Sequence, residues 1–489
     1  MAKKFFLSVL MVVMASVLIL SGCSNGNNSA GGGSKVVNVA VGSFATSSLT
    51  MIKDEWEART GATMNIIEIP FGSLYEKLVT SFATGTNSYD VVVYPSNWLS
   101  DFVEGNYIQD LEPFMAEKNN WDDIIPAFAN MQKFDGKRYA VPIDGDSIIM
   151  YYRKDALENE EYKKQFEDKY GYPLAPPTTW AEYRDVAEFF NGWDWDNDGQ
   201  MNYGALEALA PKNVDGYIYI TRAASYAAHP DAKGYLFFDP ETMEPQVNNP
   251  AFVKALEEWV EIKKFGPPNM VNYGGGEVRG NYVAGQSALA IDWADIGIMA
   301  QDPDKSKIKD KIGFALAPGS KEIYNAKTKA WDQQDQVSYA PYLAFSGFTT
   351  SITTSASNPE LAFDLINSLD TDENALAGVT TPGTARNPYR GKHLEDPAAW
   401  ENSPTNFFEP KGYLDTIKES YTHPNVQIDL RVLKAGSYLD ALGVGIQQAL
   451  AGEKSSQDAL DAVAKEWNRL NEEIGVDNQK KFYLNGYNQ

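Results

Sequence analysis

Residues 64–95 of the sequence, MNIIEIPFGSLYEKLVTSFATGTNSYDVVVYP, contain two short apolar runs separated by one longer amphipathic segment. The first run ends at Pro70, the second ends at Pro95, and Gly85 closes the segment between them. Short apolar runs bounded by turn residues predict buried strands, whereas the spacing of apolar residues between them predicts a helix. The stretch therefore predicts a β-α-β unit with parallel strands.

The same alternation continues on both sides of this stretch. Upstream, VVNVAV (36–41) predicts a strand, and SLTMIKDEWEARTG (48–61) predicts a helix that stops at Gly61. Downstream, KIGFALAPGS (311–320) predicts a strand that is broken by Pro318. Because 489 residues exceed one ordinary hydrophobic core, we expect at least two α/β domains.

The N-terminus has the features of a secretory signal. Lys3 and Lys4 precede the apolar run 5–20, which is too short for a comfortable membrane span. The run ends in LSGC, which resembles the bacterial lipobox, and so predicts acylation of Cys23. Residues 1–22 are then the signal peptide, and the Ser/Asn/Gly-rich segment 23–35 is a flexible tether. Cys23 is the single cysteine of the chain, so we expect no internal disulfide.

Charge and aromatic content narrow the classes of partner. The formal net charge is −24 and no basic patch is evident, which disfavours nucleic acid as a partner. We expect a monomer that meets the membrane only through its lipid anchor. The chain holds 11 Trp, 27 Tyr and 23 Phe residues, enough for a cleft that binds a flat, partly polar ligand such as a sugar.

The order of the segments resembles one protein family. The series from FGSLYEKLVTSFATG (71–85) through DGKRYAVPIDGDSIIMYYRKDAL (135–157) and GNYVAGQSALAIDWADIGIMA (280–300) to LAFSGFTTSITT (343–354) resembles the extracellular solute-binding proteins of ABC sugar importers related to maltose-binding protein. The resemblance implies an α/β fold of two lobes, each a mainly parallel sheet flanked by helices and joined by a multi-strand hinge. It further implies that a small-molecule carbohydrate, expected to be an oligosaccharide, is bound between the lobes and passed to the transmembrane subunits of an ABC permease. The predicted boundaries are 36–142 with 317–390 for lobe 1, and 143–316 with 391–489 for lobe 2.

The ligand is expected at loops that follow the carboxyl ends of strands. The residues in four such loops are Ser43 and Phe44, Asn97 and Trp98, Asp144 and Asp146, and Asp292, Trp293 and Asp295. The family pattern favours Trp98, Asp144 and Trp293 and adds Tyr438, while Trp331 lies in a polar stretch that suits a rim. Core packing is the alternative for each aromatic residue, and a solvated turn is the alternative for Asp144 and Asp146. Arg386 either reaches the cleft or fixes a loop.

The stretch NGWDWDNDGQMNYG (191–204) predicts a calcium loop. Counted from Asp194, its oxygen donors occupy the leading positions of an EF-hand loop: Asp194, Asp196, Asp198, the carbonyl of Gln200, and Asn202. The twelfth position is Ala205 instead of Glu, so Glu207 or a neighbouring carboxylate would have to supply the missing ligand. A surface turn rich in Asp and Gly is the alternative.

A secreted enzyme and an adhesin or scaffold are the alternatives to a binding protein. A secreted glycan-degrading lipoprotein enzyme would need a pair of facing carboxylates, and 66 acidic residues leave that alternative open. However, the chain shows no series of eight β/α units, and its three histidines lack metal-ligand spacing. An adhesin or scaffold would show repeats. The sequence therefore predicts a binding protein without catalytic residues.

Overall fold

A computed structural model of the protein describes residues 35–86, 89–115, 121–212 and 214–487. The predicted signal peptide, Cys23 and nearly all of the tether lie outside these residues. Within the described ranges the strands are β1 (Val36–Gly42), β2 (Thr63–Ile69), β3 (Val91–Pro95), β4 (Lys133–Phe134), β5 (Lys137–Arg138), β6 (Val141–Pro142), β7 (Ile148–Arg153), β8 (Tyr203–Leu206), β9 (Ser287–Trp293), β10 (Ile312–Leu316), β11 (Ser320–Asn325), β12 (Ala330–Ser338), β13 (Tyr342–Leu343), β14 (Phe348–Ile352) and β15 (Gln427–Ile428).

The helices cover the faces of the sheets formed by these strands. Among the helices of the described ranges, none combines the length and apolarity needed to cross a bilayer. They are α1 (Thr46–Thr60), α2 (Phe71–Thr84), α3 (Leu99–Glu104), α4 (Pro126–Met131), α5 (Lys154–Leu157), α6 (Glu160–Tyr170), α7 (Trp180–Phe190), α8 (Asp215–Ala227), α9 (Pro250–Ile262), α10 (Gly275–Val283), α11 (Asp295–Met299), α12 (Pro359–Leu369), α13 (Asp372–Thr380), α14 (Gly391–Glu395), α15 (Pro397–Glu401), α16 (Lys411–Thr422), α17 (Ala435–Leu450), α18 (Ser456–Ile474) and α19 (Val476–Tyr487).

The first large sheet has the strand order β2-β1-β3-β14-β6. Strand β1 is parallel to β2 and β3, as the β-α-β pattern predicts, whereas β14 runs antiparallel to β3 and β6. All five residues of β3 are buried, which is the expected outcome for a central strand covered by helices on both faces. The predicted helix stops are also confirmed, because Gly61 and Gly85 adopt left-handed backbone conformations at the ends of α1 and α2.

The second large sheet has the order β10-β7-β9-β8. Strand β9 is parallel to β8 and antiparallel to β7, and all of its residues are buried. The connection 143–147 runs directly from β6 of the first sheet to β7 of the second. The carboxylates Asp144 and Asp146 therefore lie on a segment that joins the two sheets.

The hairpin β11-β12 differs from the predicted lobe boundary at residue 317. It packs on helices α8 and α9, which fall within the residues predicted for lobe 2: Lys254 of α9 lies 3.3 Å from Glu322, and the ring of Trp331 lies 6.4 Å from that of Tyr226 in α8. Pro318 ends strand β10 without sending the chain back to the first sheet. The chain returns only after β12, because a proline interrupts hydrogen bonding but does not determine which body the next segment packs against.

Candidate functional site

A cavity of about 260 Å³ lies where the connection 143–147 meets the loops after β1 and β9. Its walls therefore come from chain segments that belong to both large sheets. Six of the residues predicted from the strand-end loops line it: Ser43, Phe44, Asp144, Asp146, Trp293 and Asp295.

Three further predicted residues lie directly behind the cavity wall. The ring of Trp98 is stacked at 6.1 Å on that of Phe71, which lines the cavity. Asn97 donates a hydrogen bond to Asp429, and Asp292 accepts two hydrogen bonds from Arg279, another residue of the cavity wall. These residues support the lining.

Two predicted ligand-binding residues are wrong. Tyr438 is fully buried in a helical core, where its hydroxyl donates to Asn471 and its ring packs edge-on against Trp467. Trp331 packs against Tyr324 across its own hairpin. Tyr438 fills a core and the partly buried Trp331 packs on neighbouring rings, because residue type alone does not indicate which side of a helix or strand faces the ligand.

Phe345 forms the aromatic floor of the cavity and was not predicted. Its ring stacks on Trp293 at 5.5 Å with an interplanar angle of 21°, and it also contacts Tyr217 at 4.2 Å. The backbone of Phe345, Ser346 and Gly347 is left-handed, with φ values of 61°, 56° and 81°. The stretch LAFSGF lies in a mostly apolar segment that resembles a strand, so its composition did not predict this turn.

Asp429 fixes the turn that carries Phe345. It is buried and accepts hydrogen bonds from the backbone N–H groups of Phe345 and Leu430 at 3.0 and 2.7 Å. The Tyr342 hydroxyl and the Asn97 side-chain amide donate to the same carboxylate at 2.6 and 2.8 Å. Burial raises the pKa of Asp429 to about 6 despite these four donors.

Carboxylates dominate the electrostatics of the cavity. Asp144 accepts a hydrogen bond from the backbone N–H of Asn387, while no described residue bonds Oδ2 of the buried Asp146. Burial is the main reason that the pKa values of Asp144 and Asp146 lie well above the usual range, and repulsion from Asp295 adds to it. Arg279 donates to Asp292 at 2.9 Å and lies 3.1 Å from Asp295.

Arg386 fixes a loop, the second of the two roles considered for it. Its guanidinium donates to the carbonyl of Ile143 at 2.6 Å and to the hydroxyl of Tyr389 at 2.9 Å. These bonds tie residues 381–390 to the connection that carries Asp144. The positive charge acts on Asp144 from behind the cavity wall.

The acidic loop lies beside β7 and β8, apart from the cavity. Oxygens of Asp194, Asp196 and Asp198 come within 4.8 Å of one another. The Asp194 carboxylate also accepts from the backbone N–H groups of Asp198 and Gly199, which closes the loop into a tight turn. Arg153 lies 3.5 Å from Oδ2 of Asp196.

Two side-chain oxygens in this loop region are buried without a hydrogen-bond donor among the described residues. Oδ1 of Asp196 and Oδ1 of Asn202 are buried and accept no hydrogen bond from any described residue. An orphaned buried oxygen is costly unless a cation or a donor satisfies it, so the donor set fits a hard cation. Glu207 does not complete the set, and its suggested role is wrong, because it is paired with the buried Arg222 at 2.9 Å.

The family assignment follows from a sequence comparison. The profile described as bacterial extracellular solute-binding protein matches residues 45–376, more than half of the chain. The chain belongs to this family.

Curated relatives of this solute-binding protein match only in part. The mannitol-binding protein of Pseudomonas aeruginosa is 25% identical over 247 residues, which cover 50% of this chain and 51% of that protein. The maltodextrin-binding protein MdxE of Bacillus subtilis is 26% identical, over 41% of this chain and 45% of its own. The alignments thus span about half the length of these relatives.

Solved structures confirm the predicted two-lobe fold of this solute-binding protein. A solute-binding protein of Agrobacterium radiobacter K84, solved with ribitol, gives a TM-score of 0.71 at 20% identity and covers 89% of this chain and 98% of its own. Maltose-bound MalE3 of T. maritima gives 0.69 at 21% identity, over 89% of this chain and 99% of its own. The two large sheets described above are the sheets of the two lobes.

Proposed function

We propose that this solute-binding protein captures a carbohydrate in the cavity between its lobes and delivers it to the transmembrane subunits of an ABC importer. The observation that carries the proposal is the pairing of stacked rings with unsatisfied polar atoms in one cavity. Trp293 and Phe345 offer faces to sugar C–H groups, while Asp146 offers a buried carboxylate oxygen to hydroxyl donors. The relatives described as binding mannitol, ribitol and maltose support the same class of ligand.

The size of the cavity favours a small member of that class. Sites for drug-sized ligands hold about 300–1,000 Å³, whereas this cavity holds about 260 Å³. A monosaccharide, a disaccharide or an alditol is therefore favoured over the longer oligosaccharide expected from the family resemblance. Closure of the lobes would shield such a ligand and present both lobes to the permease.

Thermal unfolding with a carbohydrate panel tests the proposal. The purified protein is melted alone and with monosaccharides, disaccharides, alditols and malto-oligosaccharides. A ligand present at 100 times its dissociation constant adds about 2.7 kcal/mol to the unfolding free energy and visibly raises the melting temperature. Recovery of the ligand unchanged excludes the glycan-degrading alternative. No shift with any carbohydrate would refute the proposal.

We further propose that Ca²⁺ binds the acidic loop through Asp194, Asp196, Asp198, Asn202 and the carbonyl of Gln200. The close approach of the three carboxylates and the orphaned oxygens of Asp196 and Asn202 support this site. When bound, the ion would hold the segment between α7 and β8 in one conformation. The test is a calcium titration followed by melting: the Asp194→Asn and Asp198→Asn variants should lose the calcium response, and a parent protein indifferent to calcium and chelator would refute the site.

We also propose that the mature protein is a monomer anchored through lipid on Cys23, with the lobes outside the cytoplasmic membrane. The LSGC motif after a short apolar run supports the anchor. The Cys23→Ser variant should leave the membrane fraction, whereas retention of that variant in the membrane would contradict the anchor.

A further inference from the structure

We infer that the ligand carries a positive charge, and that it is an amino sugar or an aminated alditol rather than its neutral counterpart. This inference rests on the carbohydrate binding proposed above and names the kind of carbohydrate. The observations that carry it are an excess of buried carboxylates at the cavity and an oxygen of Asp146 that accepts no hydrogen bond from any described residue.

The first step is the balance of charge around the cavity. Asp144, Asp146 and Asp295 line it, while Asp292 and Asp429 lie close enough to act on these groups. Among the described residues, the cations that act on these carboxylates are Arg279 and Arg386. The described residues in and around the cavity that act on one another thus include five carboxyl groups and two guanidinium groups. A buried charge is costly unless it is paired, and the protein supplies this cavity with fewer cationic than anionic groups.

The second step is that both arginines are already engaged. Arg279 donates two hydrogen bonds to Asp292 and lies 3.1 Å from Asp295. Arg386 donates to the carbonyl of Ile143 and to the hydroxyl of Tyr389. Neither group makes a hydrogen bond to Asp146, which is only 3% exposed. The missing charge partner of Asp146 therefore has to come from the ligand.

The third step is the pattern of unsatisfied atoms. Three atoms on the cavity wall are buried without a hydrogen-bond partner in the described part of the chain: Oδ2 of Asp146, Oδ1 of Asn387 and Nε1 of Trp293. Two of these atoms accept hydrogen bonds and one donates. An ammonium supplies several donors to the two acceptors, and a neighbouring hydroxyl can accept from Trp293. A carboxylated sugar would instead place a negative charge among carboxylates.

The aromatic floor suits the same cation. Trp293 and Phe345 are stacked beside the carboxylates, and the Arg279 guanidinium already lies 5.9 Å from the centre of the Trp293 ring. A cation near an indole face is attracted by the negative face of the ring. The carboxylate of Asp146 and the rings of Trp293 and Phe345 line one cavity, so an amino sugar bound there meets an anionic oxygen and aromatic surface together.

Calorimetric titration with matched ligand pairs tests the inference. The pairs are glucosamine with glucose and glucamine with sorbitol, measured at a pH where the amines are protonated. We expect the amine of at least one pair to bind at least tenfold more tightly than its neutral partner. The Asp146→Asn variant keeps the shape of the side chain and should reduce this ratio to about one. The matched control is Asp335→Asn, which removes the same charge from the exposed face of β12 and should keep the ratio.

The outcomes separate this inference from the proposed function. Tighter binding of the neutral member in both pairs would overturn the inference while carbohydrate capture stands. An amine preference that survives in Asp146→Asn would overturn the role given to that carboxylate. If no carbohydrate, charged or neutral, binds in these titrations or in the melting panel, the proposed function fails and the inference fails with it.

Discussion

Phe345 provides a test of whether the cavity floor rests on a strained turn. Its φ of 61° is left-handed, a conformation that costs roughly 1–2 kcal/mol for residues with a Cβ atom. We predict that Phe345→Gly is more stable than Phe345→Ala, although glycine usually destabilises a fold relative to alanine. The reason is that both variants lose the ring, but only glycine also loses the strain.

The magnitude follows from the contacts of the ring and from the backbone. Phe345 is 5% exposed and packs against Trp293, Tyr217, Phe71 and Phe348. Loss of such a ring to alanine costs about 3–5 kcal/mol. Relative to alanine, glycine is stabilised by about 1–2 kcal/mol because it has no strain at this φ. It is destabilised by about 0.5–1 kcal/mol because its unfolded backbone has more conformational entropy. The unfolding free energy of the glycine variant should therefore exceed that of the alanine variant by up to about 1.5 kcal/mol.

Phe348 is the matched control for this comparison. It lines the same cavity and is also 5% exposed, but it lies in β14, where the backbone is extended. At this position glycine should be less stable than alanine by about 0.5–1 kcal/mol. Urea unfolding of the four variants, followed by tryptophan fluorescence, gives the order. If alanine exceeds glycine at both positions, the strained turn at Phe345 is refuted.

Three further predictions concern buried charges and the acidic loop. Because burial raises the pKa of Asp429 from 3.8 to about 6, its contribution to stability is full below pH 3.8 and is lost as the pH rises through 6. The unfolding free energy of the parent minus that of Asp429→Asn should therefore fall by about 2.4 kcal/mol between pH 4 and 7 in urea melts, and a constant difference would contradict the shift. Glu207→Gln leaves Arg222 buried without its partner and should cost about 3–5 kcal/mol in the same assay, whereas Glu207→Leu with Arg222→Met should be nearly neutral. The calcium response of Glu207→Gln should match that of the parent, since Glu207 contacts Arg222 instead of the acidic loop.

The fold was readable from the sequence because strands buried on both faces leave continuous apolar runs. VVNVAV and YDVVVYP became adjacent parallel strands of the first lobe, with Val39 opposite Val91. The predicted boundary at residue 317 rests on Pro318, whereas the hairpin β11-β12 that follows packs against α8 and α9. Its contacts with α8 and α9 come from tertiary packing, which local spacing does not encode.

Sequence reasoning located those residues of the cavity lining whose type suits a ligand and whose position follows a predicted strand. Asp144 and Trp293 stand at strand ends, so their residue types and positions both indicate the cleft. Phe345 was missed because its left-handed turn is held by Asp429, which lies 84 residues further along the chain. Arg279 was missed because it occupies an ordinary position within helix α10. Both reach the cavity through long-range contacts that no local pattern specifies.

The connection 143–147 has a consequence for how such a protein changes during evolution. It carries two carboxylates of the cavity and is also a covalent link between the two lobes. A substitution at Asp144 or Asp146 therefore changes the cavity wall and the joint between the lobes together. At these two positions the lining of the cavity and the connection between the lobes cannot vary independently of each other.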